Sequence, residues 1–342
     1  MPKALIVGGG ISGLALAWRL QQQAPALEVL VLESEARPGG KVDTTAREGF
    51  RVEGGPNGFL DNNPATLTLC RELGLGDRLV SASEASGRNR YLLLGGRLRA
   101  LPNSLGSFLR SDVLSWRGKL CLLAERFRPR RTEGGDESVD AFARRRAGRE
   151  VAETLADAFV TGIHAGDPGL LSVRAAFPRL AAFEREHGSV QRGMAAARKR
   201  RRAEAAAAGR PPPEPPKLWS FREGLGLLTD TLRDRLRTPP LTGAAVRSLR
   251  RTDGGWEARG ERQDHWAADA VVLTCPAYRQ AEILADVDGE LAAKVGEIAY
   301  NRVAVVALGY RAAEVPVALD GFGYLSPQRE GRDVLGVQWC SS

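Results

Sequence analysis

One glycine pattern narrows the fold before anything else. Gly8-x-Gly10-x-x-Gly13 stands between an apolar run, residues 3–7 (Lys-Ala-Leu-Ile-Val), and a stretch over residues 11–23 in which Leu14, Ala17 and Leu20 recur on one helical face. Residues 27–33 (Leu-Glu-Val-Leu-Val-Leu-Glu) then read as a second strand, which makes a strand–glycine turn–helix–strand unit. The first glycine permits a tight turn, the second lets a pyrophosphate approach the backbone, and the third lets helix and strand pack closely. Free N–H groups and the helix dipole then favour an anion at the helix start. Gly8, Gly9, Gly10, Ile11, Ser12 and Gly13 are therefore the expected phosphate-binding residues. Glu33 ends the second strand, where a carboxylate accepts ribose hydroxyls and repels a 2′-phosphate. The bland alternative is a glycine-rich turn that holds no ligand.

The rest of the chain fits a multidomain globular protein. Its 342 residues exceed one ordinary domain, and 43% hydrophobic with 26% charged residues suits a packed core. The net charge of +8 is weak support for a nucleic-acid partner, because only six of 49 basic residues are Lys and so lopsided a ratio fits base composition. The basic run Arg198 to Arg202 has no interleaved aromatics and reads as a solvated helix end, followed by the polyproline stretch 211–216. Four Cys (70, 121, 275, 340) and three His lack metal-ligand spacing, so no metal site and no disulfide scaffold are expected. No run approaches the length of a membrane span.

Asn63 and Pro64 open a helix to about Leu73, and residues 91–101 form a hairpin around Gly95-Gly96. From about 104 to 206 the chain is helical, with Ser138 and Ser172 as caps and a small-residue loop from Gly162 to Gly169. Meander strands come next at 246–249, 256–259 and 265–268, then strands at 269–274, 303–310 and 334–339.

Further motifs stand in a telling order. Arg37-Pro38-Gly39-Gly40-Lys41 is succeeded by Gly55-Pro56-Asn57-Gly58-Phe59-Leu60, then by Gly96-Arg97-Leu98-Arg99-Ala100-Leu101-Pro102. Residues 137–142, the stretch Thr161-Gly162-Ile163-His164-Ala165-Gly166-Asp167-Pro168, residues 176–178 and 184–189, and Leu335-Gly336-Val337-Gln338-Trp339 complete the set. In this order the chain resembles the flavin-dependent amine oxidase superfamily and, within it, the oxygen-dependent protoporphyrinogen/coproporphyrinogen oxidase family.

The resemblance implies an α/β fold: a Rossmann-type FAD-binding domain (1–85 and 218–292), an inserted helical domain (104–210) and a partial α+β substrate-binding domain (86–103 and 293–342). It implies FAD held by Gly8 to Gly13, Glu33, Ser34, Gly40, Lys41, Gly55, Pro56, Asn57 and Gly58, with the Val246 backbone on the adenine. Arg99 would meet a propionate of the tetrapyrrole, and Gly162 and Gly166 would line its pocket. The flavin carries the chemistry, so no catalytic side chain is expected. Porphyrinogen and dioxygen are the implied partners, in haem biosynthesis, with no nucleic acid. A homodimer is also expected, as is a cytoplasmic location with peripheral contact at the inner face of the cell membrane. For that contact, Phe108, Leu109, Val113, Leu114, Trp116, Leu120, Leu122 and Leu123 suit an interfacial helix, and equally a helix packed on the core.

The family's chains continue well past a point like Ser342. The chain therefore reads as C-terminally truncated, and weak FAD binding with little turnover is expected of it. The choice between protoporphyrinogen IX and coproporphyrinogen III stays open. The alternatives are an amine oxidase or carotenoid desaturase, a non-catalytic flavin-binding fragment and, last, a nucleic-acid binder.

Overall fold

The computed structural model describes every residue except Glu133, Pro212, Pro213, Arg262 and Ser342. Two residues of the expected polyproline stretch, Pro212 and Pro213, thus lie outside the described residues. The chain divides into two compact units, Met1–Ser81 with Lys217–Tyr310, and Ala82–Pro216 with Arg311–Ser342.

In the first unit the strand Lys3–Val7 lies between two parallel neighbours, Glu28–Leu32 and Ala270–Leu273. Both faces of this strand are covered. Leu5 packs with Ala244, Val246 and Leu249, while Ile6 packs with Ala17 and Val31. Burial on both sides explains why the run is continuously apolar and not alternating. The helix Ile11–Gln23 places Leu14 in a cluster with Cys70, Leu73, Leu228 and Leu232. Asn63 caps the helix Pro64–Glu72 by accepting from the Ala65 N–H at 3.0 Å, with Pro64 in the first turn where it forfeits no helical bond. An antiparallel meander, Ser248–Thr252, Gly255–Arg259 and His265–Ala268, covers the sheet.

One expected strand is absent here. Residues 303–310 form no strand or ladder, and Val303, Val305, Val306 and Leu308 are 58–78% exposed. Apolar β-branched residues suit a strand only where another backbone pairs with them. No described strand pairs with this segment.

The second unit holds a four-stranded sheet in the order Gly336–Gln338, Gly323–Leu325, Arg90–Leu94, Arg97–Ala100. The hairpin turn needs glycine twice, since Gly95 and Gly96 have φ of +59° and +73°. Gly323–Leu325 runs parallel to Arg90–Leu94, a pairing the sequence did not announce. The helices Leu105–Arg110, Trp116–Leu123, Val139–Ala147, Asp157–His164, Pro178–His187 and Val190–Ala207 make up most of the remainder. Ser138 and Ser172 cap as expected, accepting from the N–H groups of Ala141 and Ala175. A π-helical turn, Ala152–Ala156, leads into Asp157–His164.

Gly162 is not in a loop. It lies inside Asp157–His164, which ends only at Ala165 in the left-handed conformation (φ +47°). Its small size serves packing: a Cβ there would lie 2.7 Å from Leu325 Cδ1. Only Gly166 to Gly169 form the expected loop.

The helical part is held by a buried ion-pair network. Arg146 (2% exposed) pairs with Glu125 (3%), and Glu184 bridges Arg146 and Arg145. Burial alone would raise the Glu125 carboxyl. Hydrogen bonds from Ser189, Arg146 and the N–H groups of Gln191 and Val190 outweigh burial and hold it below the usual range.

Candidate functional site

The first unit builds a cradle from backbone. Gly8 takes φ +114°, and a Cβ on Gly13 would sit 2.0 Å from the Gly8 carbonyl oxygen, so neither position accepts a side chain. The second glycine pair folds back on the first. Gly39 donates to the Gly9 carbonyl at 2.8 Å, and a Cβ on Gly40 would lie 3.0 Å from Gly10 Cα. Arg37 shapes this loop by donating to the carbonyls of Pro38, Gly40 and Val42. Lys41 is exposed, and its carbonyl would lie 2.0 Å from a Cβ on Gly55, so the Gly55–Gly58 segment must be glycine where it passes Lys41. Gly58 meets the Trp219 carbonyl in the same way. Gly10 differs from its neighbours: a Cβ there would meet nothing nearer than Gly40 Cα at 3.9 Å. Ser12 is exposed and Ile11 half-buried at the helix start, and no side chain caps that end.

Glu33 is buried (7%) beside this opening. Its carboxylate accepts from the Gly9 N–H at 2.7 Å, the Glu35 N–H at 2.8 Å and the Ser34 hydroxyl at 3.2 Å. The chain returns alongside it, with Ala244 donating to the Glu33 carbonyl at 2.8 Å. Val246 lies two residues further on. It is 8% exposed, yet neither its N–H nor its C=O meets a partner among the described residues. Sequence reasoning missed Thr274, whose hydroxyl donates to the Gly8 carbonyl at 2.8 Å and braces the glycine turn. A Thr closing the strand 269–274 was the available signal. Beside it, burial raises the Cys275 thiol, which therefore stays protonated.

The substrate residues belong to the second unit. Arg99 lines a cavity of about 430 Å³ with Asp112, Glu150, Arg329 and Glu330. Gly162 and Gly166 do not line that cavity. On the helix that carries Gly162, Asp157 accepts from the Gln328 N–H at 2.6 Å, and burial holds its carboxyl above the usual range. The membrane candidates divide. Val113 and Leu114 are core and Phe108 and Leu122 pack against them, whereas Trp116, Leu120, Leu123 and Phe127 form an exposed stripe. Among the described residues no helix is long and apolar enough to cross a membrane, and no group of His, Cys, Asp or Glu could hold a metal ion.

A parallel α/β sheet with this glycine cradle and an acidic residue at the second strand end defines a dinucleotide-binding protein. The sequence profile described as "Flavin containing amine oxidoreductase" matches residues 11–333, and the chain belongs to that family. Curated relatives include the chloroplastic protoporphyrinogen oxidase of Oryza sativa subsp. japonica (34% identity, 99% of this chain and 66% of the relative). The protoporphyrinogen oxidase of Homo sapiens (34%, 98% and 72%) and the coproporphyrinogen III oxidase of Propionibacterium freudenreichii (34%, 94% and 66%) are others. The chain thus spans about two thirds of the length of these relatives. Among solved structures, a protein of Exiguobacterium sp. assigned provisionally as a protoporphyrinogen oxidase shares the fold, with a TM-score of 0.73 at 23% identity over 98% of this chain and 72% of that one.

FAD is the cofactor of this family, and the residues present fit it. Gly10 faces open space where a pyrophosphate would pass, Glu33 stands where a ribose would be met, and the Val246 peptide group has no partner among the described residues and is left for an adenine edge.

Proposed function

We propose that this chain carries the FAD-binding and substrate-binding core of a porphyrinogen oxidase. It would convert protoporphyrinogen IX or coproporphyrinogen III to the porphyrin, with dioxygen as acceptor, in haem biosynthesis. The observation that carries this reading is the alignment of 94–99% of the chain with protoporphyrinogen and coproporphyrinogen III oxidases at about one-third identity.

In this reading, residues 1–85 and 218–292 form the FAD-binding domain, 86–103 and 293–342 contribute to the substrate sheet, and 104–210 form the helical domain. The backbone from Gly8 to Gly13 binds the pyrophosphate and Glu33 orients the ribose. Gly40, Lys41 and Gly55–Gly58 flank the bound cofactor, and Val246 pairs with the adenine through its peptide group. FAD, when bound, supplies the hydride acceptor that no protein side chain provides. Arg99 holds a propionate through its planar fork, while Gly162, packed on Leu325, and Gly166 lie outside the cavity that Arg99 lines. Trp116, Leu120 and Leu123 recur on one face of the helix Trp116–Leu123 and stand exposed, as does Phe127 just beyond it. That pattern supports peripheral contact with a membrane surface.

The test is the visible spectrum of the purified chain with its released flavin quantified, then porphyrin fluorescence after addition of each porphyrinogen. Measurable flavin uptake and porphyrin formation, both weak, are expected. A folded chain that takes up no flavin overturns the reading.

A further inference from the structure

The charge pairing around Arg99 carries an inference that rests on the reading above and deepens it. The Arg99 side chain is 29% exposed and its donors are unequally used. Nη1 pairs with the Asp112 carboxylate at 2.6 Å and donates to the Asp112 carbonyl at 2.8 Å. Nε reaches the Leu94 carbonyl at 3.4 Å. Nη2 donates to no described acceptor. A guanidinium grips an incoming carboxylate best through two parallel N–H donors, so half of the Nη1–Nη2 fork is taken by Asp112.

The other carboxylates of the cavity are committed elsewhere. Glu150 accepts from the Ser115 N–H at 2.6 Å and the Ser115 hydroxyl at 2.5 Å, at the start of the helix Trp116–Leu123. Glu330 accepts from the Gly95 N–H at 2.8 Å. Asp112 differs from both. Its carboxylate has no described partner but Arg99, its side chain is 73% exposed, and it sits in the turn between two helices.

We propose that Asp112 is an internal stand-in for the substrate carboxylate. It occupies the Arg99 fork while the cavity is empty and must yield before a propionate docks bidentately. The Asp112 carbonyl can keep its bond to Nη1 as the side chain leaves, so displacement need not unseat Arg99. Asp112 acts through Arg99 and is a positioning residue. It lowers affinity for every carboxylate ligand by competing for the same donors, and it keeps the guanidinium aimed at the cavity between turnovers.

The test uses the full chain, with coproporphyrin III as the fluorescent probe and its tetramethyl ester as the uncharged control. Asp112→Asn is expected to tighten coproporphyrin III binding by about two- to five-fold, the range set by exposed ion pairs, and to leave ester binding unchanged. Asp112→Glu, which keeps the competing charge, is expected to bind as the native chain does. On an Arg99→Gln background, Asp112→Asn should give no gain, since the coupling runs through Arg99.

Weaker binding to Arg99→Gln with no tightening by Asp112→Asn overturns the stand-in and leaves the Arg99 assignment intact. Equal tightening for acid and ester also overturns it, because a merely structural change would act on both. Native-like binding to Arg99→Gln, or no binding to the native chain, overturns the Arg99 reading and the inference with it.

Discussion

The cradle of the first unit and the cavity of the second are built from opposite materials. The cradle is backbone: glycines at Gly8, Gly13, Gly40 and Gly55 let main chain approach main chain more closely than any Cβ permits. The cavity is side chain: five charged groups whose positions depend on ion pairs and rotamers. A backbone site is fixed once the chain has folded, and neither pH nor salt changes it much. A side-chain site can be retuned by one substitution and screened by salt. Recognition that must not vary, such as a pyrophosphate, suits the first kind, and discrimination among related carboxylates suits the second.

The sharpest way to break this contrast is a pair of cradle variants. Gly13→Val forces backbone apart and is expected to lower stability by more than about 4 kcal/mol, with complete loss of flavin. Gly10→Ala enters open space, so it should keep the native melting temperature and lose flavin alone. Equal destabilisation by both would show that the open face at Gly10 is not a ligand space. Next in size, Glu125→Gln breaks the buried pair with Arg146 and should lower the stability of the second unit by about 3 kcal/mol, read from denaturant titration. Flavin content in the absence of denaturant should hardly change.

The pH dependence is a smaller effect and comes from the same network. Burial raises Glu125 and Glu184, but hydrogen bonds and the nearby guanidiniums prevail and leave both below their ordinary value of 4.5. A carboxyl lowered on folding contributes stability above its unfolded value, and that contribution is lost as pH falls through the folded value. Unfolding monitored by circular dichroism should therefore become easier below about pH 4.5, with a shallower slope in Glu125→Gln. Asp157 has the opposite sign. Its carboxyl is raised, so its favourable contribution is lost as pH rises. Asp157→Asn keeps an acceptor for the Gln328 N–H and should stabilise the chain by a fraction of a kcal/mol at neutral pH, with no gain in acid.

The same contrast explains how much was legible from sequence. The strand–helix–strand unit that starts at Lys3–Val7, the glycine cradle, Glu33 and the caps at Asn63, Ser138 and Ser172 obey local rules that act over a few residues. Glu125 and Arg146 could not be singled out, because 21 positions separate them and 43 Arg are present. Asp112 was hidden for the same reason: its partner Arg99 is 13 positions away. Residues 303–310 were misread because an apolar run looks the same whether or not a neighbour pairs with it. Gly162 was misread as loop because glycine marks turns more often than close helix packing. Thr274 was overlooked because its task, bracing the glycine turn, becomes visible only when the strand Ala270–Leu273 is placed beside Lys3–Val7.

The π-helical turn Ala152–Ala156 has a consequence for how this chain tolerates changes in length. Such a turn is one residue wider than an α-helical turn, so it stores a spare residue without altering the angular phase of the helix beyond it. Removing one residue there lets the turn relax to α-helix, with Asp157 still facing Gln328 and Gly162 still facing Leu325. Adding one exceeds what the turn can store and rotates the helix Asp157–His164 by about 100°. Deletion at this point should be nearly silent, and insertion should misplace an entire helix face.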